Sequence, residues 1–194
     1  GPVASTETFD LKSAWANYVS SASSRPFSIS GMVAGESVSG SGTITEGALL
    51  PATFEGLPAL SKTTFASATI TVVGQSISLS TSSSTYVDST YLPLGSSGER
   101  YSVVTGVPSI PSSARVNDTG LIYTEINYPS SAKAYSIGTT TLSFALEPDT
   151  ASTALVKLVA VDKDTAGTTI ATSVTTLRVT PTGGLTWISD STTS

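Results

Sequence analysis

The feature that most constrains the fold is a two-residue alternation of aliphatic and hydroxyl side chains. It begins at residue 27 and recurs between turns to near the end of the chain. In the first run, the sequence Phe27-Ser-Ile-Ser-Gly-Met-Val33 places its apolar residues at every second position. Successive side chains of a strand point to opposite faces, so this period predicts strands with one apolar face and one hydrated face. Ser and Thr supply 66 of the 194 residues, and we expect many of them on the hydrated face.

Turn residues divide the alternating region into separate strands. Ala34-Gly35-Glu36 and Val73-Gly74-Gln75 predict two hairpins, and Gly95-Ser-Ser-Gly98 predicts a further turn. Residues 46–60 contain two prolines and two glycines and are predicted to be a loop or an irregular crossing. The predicted strands are 27–33, 38–44, 65–73, 76–85 with a possible continuation through 86–92, 100–105, 121–128, 134–146, 154–162, 168–179 and 185–188.

One helix is predicted, over residues 9–23. Apolar residues recur there at a spacing of three to four, with Asp10 or Thr8 as the N-cap. Its apolar face is expected to pack on the sheet. Trp15 and Tyr18 are therefore interpreted as core residues rather than as ligand contacts.

The expected fold is mainly β: a curved antiparallel sheet, half-barrel or barrel-like, with one N-terminal helix. A two-sheet β-sandwich is the alternative. Short connections without intervening helices argue against an α/β fold. We expect one domain over 3–190, with a possible sub-boundary at 106–120, the longest break in the pattern. Gly1-Pro2 is interpreted as the scar of a cleaved tag and 191–194 as a frayed tail.

Composition excludes several classes of chemistry. The chain has no His and no Cys, which removes the Ser-His-Asp triad, the cysteine nucleophile and the common zinc and haem sites. Net charge is −5 and the nine Lys and Arg residues are scattered, so a nucleic-acid-binding surface is not expected. No apolar stretch approaches the length of a membrane span. These observations favour a non-catalytic protein without a cofactor.

The acidic residues offer two candidates for catalysis. Asp88 and Glu125 lie within predicted strands, and both are expected to face solvent. Asp162-Lys-Asp-Thr-Ala-Gly167 matches a calcium loop at its first, third and sixth positions but not at its fifth or twelfth. It is interpreted as a hairpin turn, and no metal site is expected. Asn117-Asp118-Thr119 fits a glycosylation sequon, but Asn and Asp before Gly120 are better explained by a tight turn.

Tyrosine distribution supplies the candidate binding residues. Six of the seven tyrosines fall within residues 86–135, and tyrosine suits a pocket wall because its body is apolar and its tip polar. Tyr101 and Tyr123 occupy alternating positions of neighbouring predicted strands and are expected to share one face. The candidate ligand-binding residues are Tyr86, Tyr91, Tyr101, Tyr123, Tyr128 and Tyr135.

One part of the chain resembles a known group. The run Ile110-Pro-Ser-Ser-Ala-Arg-Val-Asn-Asp-Thr-Gly120, a following Tyr-bearing strand, a turn near Gly138 and Leu146-Glu-Pro-Asp-Thr resemble uncharacterised exported lipoproteins of Gram-negative bacteria. In those proteins a Pro…Val-Gly-Asp-Ser/Thr-Gly turn precedes a β-meander. Asn117 replaces the glycine, and Asn tolerates the positive φ that such a turn needs. The resemblance covers residues 105–190 and implies export but no activity. The expected architecture is also similar to that of the lipoprotein-localisation carriers, whose half-barrel holds acyl chains.

These observations favour an exported, non-catalytic binding or interaction domain of an envelope lipoprotein, periplasmic or at the cell surface. Its expected partner is a hydrophobic small molecule or another envelope protein. Membrane association is expected only through an N-terminal anchor, which we expect to have been removed upstream of Val3. A carrier of a lipid or other hydrophobic ligand and a structural surface or filament subunit are the alternatives.

Overall fold

A computed structural model describes residues 1–193, with every side chain except that of Val33; Ser194 lies outside the described residues. The chain forms one helix, α1 (Leu11–Ser20), and a series of strands. The strands are β1 (Ser23–Val33), β2 (Glu36–Glu46), β3 (Leu50–Phe54), β4 (Leu57–Val72), β5 (Gln75–Val87), β6 (Pro93–Ser97), β7 (Tyr101–Thr105), β8 (Thr119–Tyr128), β9 (Gly138–Pro148), β10 (Ala154–Lys163), β11 (Thr169–Val179) and β12 (Leu185–Thr193).

The strands form a single antiparallel sheet, which confirms the predicted fold class. Its order is β1-β2-β4-β5-β6-β7-β8-β9-β10-β11-β12, and β3 pairs with β4 beside the end of β2. The sheet is open: β1 and β12 are its two edges, and no pairing between them closes it within residues 1–193. No helix in this part of the chain is long and apolar enough to cross a membrane.

The helix is shorter than the predicted 9–23. Asp10 is the N-cap, as expected, and its carboxylate accepts hydrogen bonds from both the main-chain N–H and the hydroxyl of Ser13 at 2.9 and 2.7 Å. Phe9 precedes the helix and forms a β-bridge with Ala114. The C-cap Ser21 is already extended, so the chain enters β1 at Ser23.

The prediction of a loop over residues 46–60 was wrong. Leu50–Phe54 and Leu57–Ser61 form a hairpin that turns at Glu55 and Gly56, both of which have positive φ. Pro51 is tolerated because β3 has a neighbouring strand on one side only. In such an edge strand the missing N–H of a proline can face the unpaired side, where no strand needs it as a donor.

Two other strand ends differ from the predictions. The strand expected to continue through residues 86–92 ends at Val87, because the chain turns at Asp88 to enter β6. The predicted tail from residue 191 is strand instead: β12 reaches Thr193, which pairs with Thr172 of β11. The last residues are extended because they pair with β11, and the local sequence does not reveal this pairing.

The break at 106–120 does not interrupt the sheet, since β7 pairs with β8 across it. Residues 119 and 120 belong to β8. The rest of this segment lies beside the start of α1, where the Pro111 carbonyl accepts a hydrogen bond from the main-chain N–H of Lys12. Ala114 is 1% exposed in the core.

The main core lies between α1 and strands β8–β12. Its buried residues are Phe9, Leu11, Ala14, Ala114, Ile122, Leu142, Phe144, Leu146, Ala154, Val156, Leu177 and Val179. Trp15 and Tyr18 pack against this cluster, as their interpretation as core residues predicted. The helix therefore covers the inner face of one half of the sheet.

The other half extends beyond the helix as a four-stranded blade, formed by 26–43 of β1 and β2 and 66–81 of β4 and β5. The register gathers hydroxyl side chains on one face: Ser28, Ser30, Ser39, Ser41, Thr43, Ser67, Thr69, Thr71, Ser76, Ser78 and Ser80. The opposite face is apolar and carries Phe27, Ile29, Val38, Ala68, Ile70, Val72, Ile77 and Leu79, with Gly40 and Gly42. Ile77 and Leu79 are 53% and 52% exposed.

Candidate functional site

A cavity of about 160 Å³ lies between α1 and the middle of the sheet. Its walls come from α1, the end of β2, and strands β4 to β8. The lining residues are Trp15, Tyr18, Val19, Glu46, Lys62, Thr64, Thr85, Tyr86, Val87, Pro93, Gly95, Ser96, Val104, Tyr123 and Glu125. The cavity contains two buried charged side chains whose hydrogen-bonding capacity is largely unused, and these make it the candidate site.

Lys62 supplies the positive charge. It is 4% exposed, and its Nζ donates a 3.0 Å hydrogen bond to the main-chain carbonyl oxygen of Tyr18. The same Nζ lies 5.5 Å from the centre of the Tyr18 ring, in a cation–π arrangement. Burial lowers the pKa of Lys62, an effect that the charge of Glu46 partly offsets. An ammonium has three N–H donors, and two of them have no partner among residues 1–193.

Glu125 supplies the carboxyl group. It is 7% exposed, and within the described residues neither oxygen takes part in a hydrogen bond or an ion pair. Burial raises the pKa of Glu125 to about 7, which nearby Asp162 reinforces and Arg100 opposes. At neutral pH this group therefore exchanges between its acid and its ionised form.

The neighbouring polar side chains, by contrast, are saturated. Arg100 donates two hydrogen bonds to Asp162, at 3.0 and 3.2 Å, and a third to Thr140. The Thr140 hydroxyl donates to Asp162 at 2.5 Å and accepts from Asn127, which in turn accepts from Ser102 at 2.7 Å. This network joins strands β7 to β10. Glu125 lies beside it but, unlike these neighbouring polar side chains, has no hydrogen-bond partner within the described residues.

Glu46 is also neutralised within the structure. It accepts hydrogen bonds from Arg25 at 2.7 Å and from Ser23 at 2.9 Å. Burial and the negative charge of Glu46 raise the pKa of Tyr18 to about 12. Among the cavity carboxylates, Glu125 is therefore the one without a cationic partner.

A second hollow adjoins the cavity where the two edges of the sheet approach each other. This edge cleft has a volume of about 370 Å³ and shares Tyr18 and Glu46 with the cavity. Arg25 of β1 lies 5.5 Å from the ring centre of Trp187 on β12 and 3.6 Å from Asp190. Side chains, rather than backbone pairing, thus bring the two edges together.

A purely apolar hollow also lies under the helix, between Leu11 and Leu158. Its volume is only about 30 Å³, enough for one or two water-sized groups. No acyl chain fits there.

The structure separates the six candidate tyrosines. Tyr123 lines the cavity, and burial together with the charge of Glu125 raises its pKa. The Tyr86 ring lies on the opposite face of the sheet, where it stacks on Phe54 with ring centres 4.5 Å apart. Tyr91 lies in the turn after β5, where its carbonyl accepts a 2.8 Å hydrogen bond from the Trp15 indole. Tyr135 is 64% exposed in the loop between β8 and β9.

Tyr101 lies elsewhere, and the expectation that it shares a face with Tyr123 was wrong. The register pairs Tyr101 with Tyr128, whereas the β7 partner of Glu125 is Val104. Residues 101 and 104 point to opposite faces, and Tyr123 faces the cavity with Glu125. Tyr101 instead stacks on Phe54 and donates a 2.6 Å hydrogen bond to Glu55.

The other sequence candidates have structural roles. Asp88 Oδ1 accepts hydrogen bonds from Thr90 and Leu92 and holds the turn before β6. Asp164 likewise accepts from the N–H groups of Ala166 and Thr168, which confirms the β10–β11 hairpin turn. Asn117 has a φ of 77°, the left-handed conformation expected of its turn.

The sequence pattern did not identify three residues of the site and its edge, namely Lys62, Glu46 and Arg25. Lys62 lies just past the segment mistaken for a loop, so its position on a strand was not recognised. A usable signal was available: a lysine between Leu60 and Thr64 in a period-two pattern lies on the same face as both. Glu125 was recognised as a strand residue but placed on the solvent side.

Comparison with protein-family models, with curated proteins and with solved structures finds no match for this chain. The cavity therefore has to be interpreted from its own chemistry. It offers an ammonium with two free donors, a carboxyl group that titrates near neutrality, and aromatic walls. Such an arrangement is suited to holding a small polar molecule.

Proposed function

We propose that this chain is a non-catalytic binding domain whose ligand is a small polar molecule held in the cavity between α1 and the sheet. One observation supports the proposal above all: Lys62 and Glu125 are both more than nine-tenths buried and face the same cavity, where two N–H donors of Lys62 and both oxygens of Glu125 have no hydrogen-bond partner among residues 1–193. An unpaired buried charge costs several kcal/mol. A ligand that satisfies these groups offsets that cost.

A binding role is favoured over catalysis by the surroundings of the two groups. Nucleophilic catalysis needs a hydroxyl within hydrogen-bond reach of its base. No Ser or Thr hydroxyl in the described part of the chain hydrogen-bonds to Lys62 or Glu125.

The proposal is tested by blocking the cavity. Thr64→Phe places a ring in the cavity wall, and Thr63→Phe puts the same ring on the opposite, exposed face of the same strand. Native mass spectrometry of protein purified without denaturation is expected to show a bound small molecule in the wild type and in Thr63→Phe but not in Thr64→Phe. Equal retention by both variants, or no retained or exchangeable ligand in the wild type, contradicts the proposal.

The apolar face of the blade supports a second candidate function, carriage of a hydrophobic ligand. Ile77 and Leu79 are more than half exposed there, and exposed apolar patches commonly mark binding surfaces. Titration with a fluorescent fatty acid tests this candidate. Saturable binding that Ile77→Ser/Leu79→Ser abolishes supports it, and binding unaffected by those changes rejects it.

We also propose that the chain belongs to an exported envelope protein, in the periplasm or at the cell surface. Its resemblance to exported lipoproteins over 105–190 and the uncharged hydroxyl face of the blade support this location. Fractionation of cells that express the complete gene tests it, and recovery of the protein only in the cytoplasm rejects it.

A further inference from the structure

The two unpartnered groups of the cavity carry opposite charge. Lys62 has two free N–H donors, and Glu125 has two carboxyl oxygens without donors. They line one cavity, yet they do not form an ion pair with each other in the structure. The cavity therefore separates a positive end from an acidic end.

Among the described residues, neither group forms an ion pair with another charged side chain: Glu46 acts on Lys62, and Arg100 on Glu125, only through space. Arg25 neutralises Glu46, and Asp162 is held by Arg100. An anionic ligand would satisfy Lys62 but leave Glu125 without a partner. A cationic ligand would satisfy Glu125 but bring a second positive charge toward Lys62. A molecule with both charges matches both ends and adds no net charge to a buried site.

The size of the cavity limits the ligand. One buried water needs about 10–15 Å³ of such space, so a cavity of about 160 Å³ accommodates roughly 11 to 16 water-sized groups. Amino acids and short ω-amino acids lie within this limit. The aromatic side chains of Trp15 and Tyr123 in the cavity wall suit the short apolar chain that joins the two charges.

We propose that the cavity binds a small zwitterion, with its carboxylate against the ammonium of Lys62 and its ammonium against the carboxylate of Glu125. This inference depends on the proposed binding function and specifies its ligand class. Lys62 lies on β4 and Glu125 on β8. The distance between these two side chains therefore determines which length of ligand can contact both.

A chain-length series tests the proposal by isothermal titration calorimetry on the intact chain. The probes are glycine, β-alanine, 4-aminobutyrate and 6-aminohexanoate, each compared with the monocarboxylate and the primary amine of the same length. We expect affinity to pass through a maximum along the series. At that maximum each one-ended analogue is expected to bind about 10- to 100-fold more weakly, as for a lost hydrogen bond to a charged group.

Two variants assign the ends of the ligand. Glu125→Gln is expected to reduce the preference for the zwitterion over the monocarboxylate to within about threefold, and Lys62→Met to do the same for its preference over the amine. The matched controls are Glu147→Gln and Lys157→Met, which alter an exposed ion pair of β9 and β10. Both controls are expected to keep the wild-type preferences, and thermal melting confirms that each variant is folded.

Other outcomes separate this inference from the function on which it depends. If one-ended analogues bind as tightly as the zwitterions, the ligand-class inference is overturned. It is also overturned if none of the probes binds while Thr64→Phe still removes a retained small molecule of another kind; the proposed binding function then stands. If no small molecule occupies the cavity under any condition, both fail.

Discussion

The ammonium of Lys62 donates a 3.0 Å hydrogen bond to the carbonyl oxygen of Tyr18 and so ties β4 to α1. Main-chain carbonyls near the end of a helix lack intrahelical partners, and Tyr18 lies two residues before the end of α1. The bond thus satisfies a helix-end acceptor with a buried cation. It also fixes Lys62 in the wall of the cavity that Glu125 lines.

The first prediction concerns the dependence of stability on pH. Burial raises the pKa of Glu125 from 4.5 to about 7, so between these values the folded state holds a proton that the unfolded state has released. This contribution to stability is fully present below about pH 4.5 and is lost as pH rises through 7. Its size is about 3 kcal/mol.

Urea denaturation of wild type and Glu125→Gln measures this contribution. The variant is expected to have the larger free energy of unfolding at pH 8, and the difference is expected to shrink toward pH 5. Glu147→Gln, on the exposed surface, is expected to follow the wild type at both values. A wild type and Glu125→Gln with parallel pH profiles would show that Glu125 does not titrate in this range.

A second prediction concerns the indole of Trp15, which donates a 2.8 Å hydrogen bond to the Tyr91 carbonyl and ties α1 to the turn after β5. Trp15→Phe keeps an aromatic ring but removes the donor. We expect a loss of about 1–3 kcal/mol in the free energy of unfolding, because the Tyr91 carbonyl is left without its partner. Chemical denaturation measures it, and a loss no greater than that of Trp187→Phe, at a ring 40% exposed, argues against this role.

A third prediction concerns Gly95, over which the Phe54 ring packs. A methyl group at this position would lie 2.6 Å from the ring and would clash with the carbonyl oxygen of Ser102. Gly95→Ala is therefore expected to cost about 2–3 kcal/mol. Gly31→Ala is the control, because a methyl group there meets no atom within 4 Å. Equal melting temperatures for the two variants would contradict this account.

A fourth prediction concerns the N-cap of α1. Asp10→Ala is expected to cost about 1 kcal/mol, whereas Asp10→Ser retains a capping oxygen and most of the stability. The hydrogen bonds from Ser13 lower the pKa of Asp10, so the cap contributes above the ordinary aspartate pKa and its contribution is lost as pH falls through the folded value. Thermal melting of the three proteins at pH 7 and pH 3 checks both statements.

The features that could be predicted from the sequence are those that depend on residues close together in the chain. Asp10 caps its helix through Ser13, three residues away, and the Val73-Gly74 hairpin needs only its own turn residues. The candidate site has no such local cause. Lys62 is buried beside Tyr18 of α1, which is distant from it in sequence, and the β3–β4 hairpin that precedes it is concealed in the sequence by Pro51 and Pro58.

Register explains the remaining error. Tyr101 and Tyr123 have the spacing of side chains on one face, but pairing Tyr101 with Tyr128 sends them to opposite faces. Alternation predicts that a strand has two faces, while only the pairing of distant strands determines which face is inside.

The origin of the cavity wall along the chain has a consequence for biosynthesis. Trp15 lies on α1 and Glu125 on β8, 110 residues later, while the adjoining edge cleft needs Trp187 of β12. A ribosome-bound chain that has not yet produced β8 possesses the helix and Lys62 but not the acidic end. The site is therefore completed only after β8 has been synthesised, and ligand capture would report that both halves of the sheet have come together.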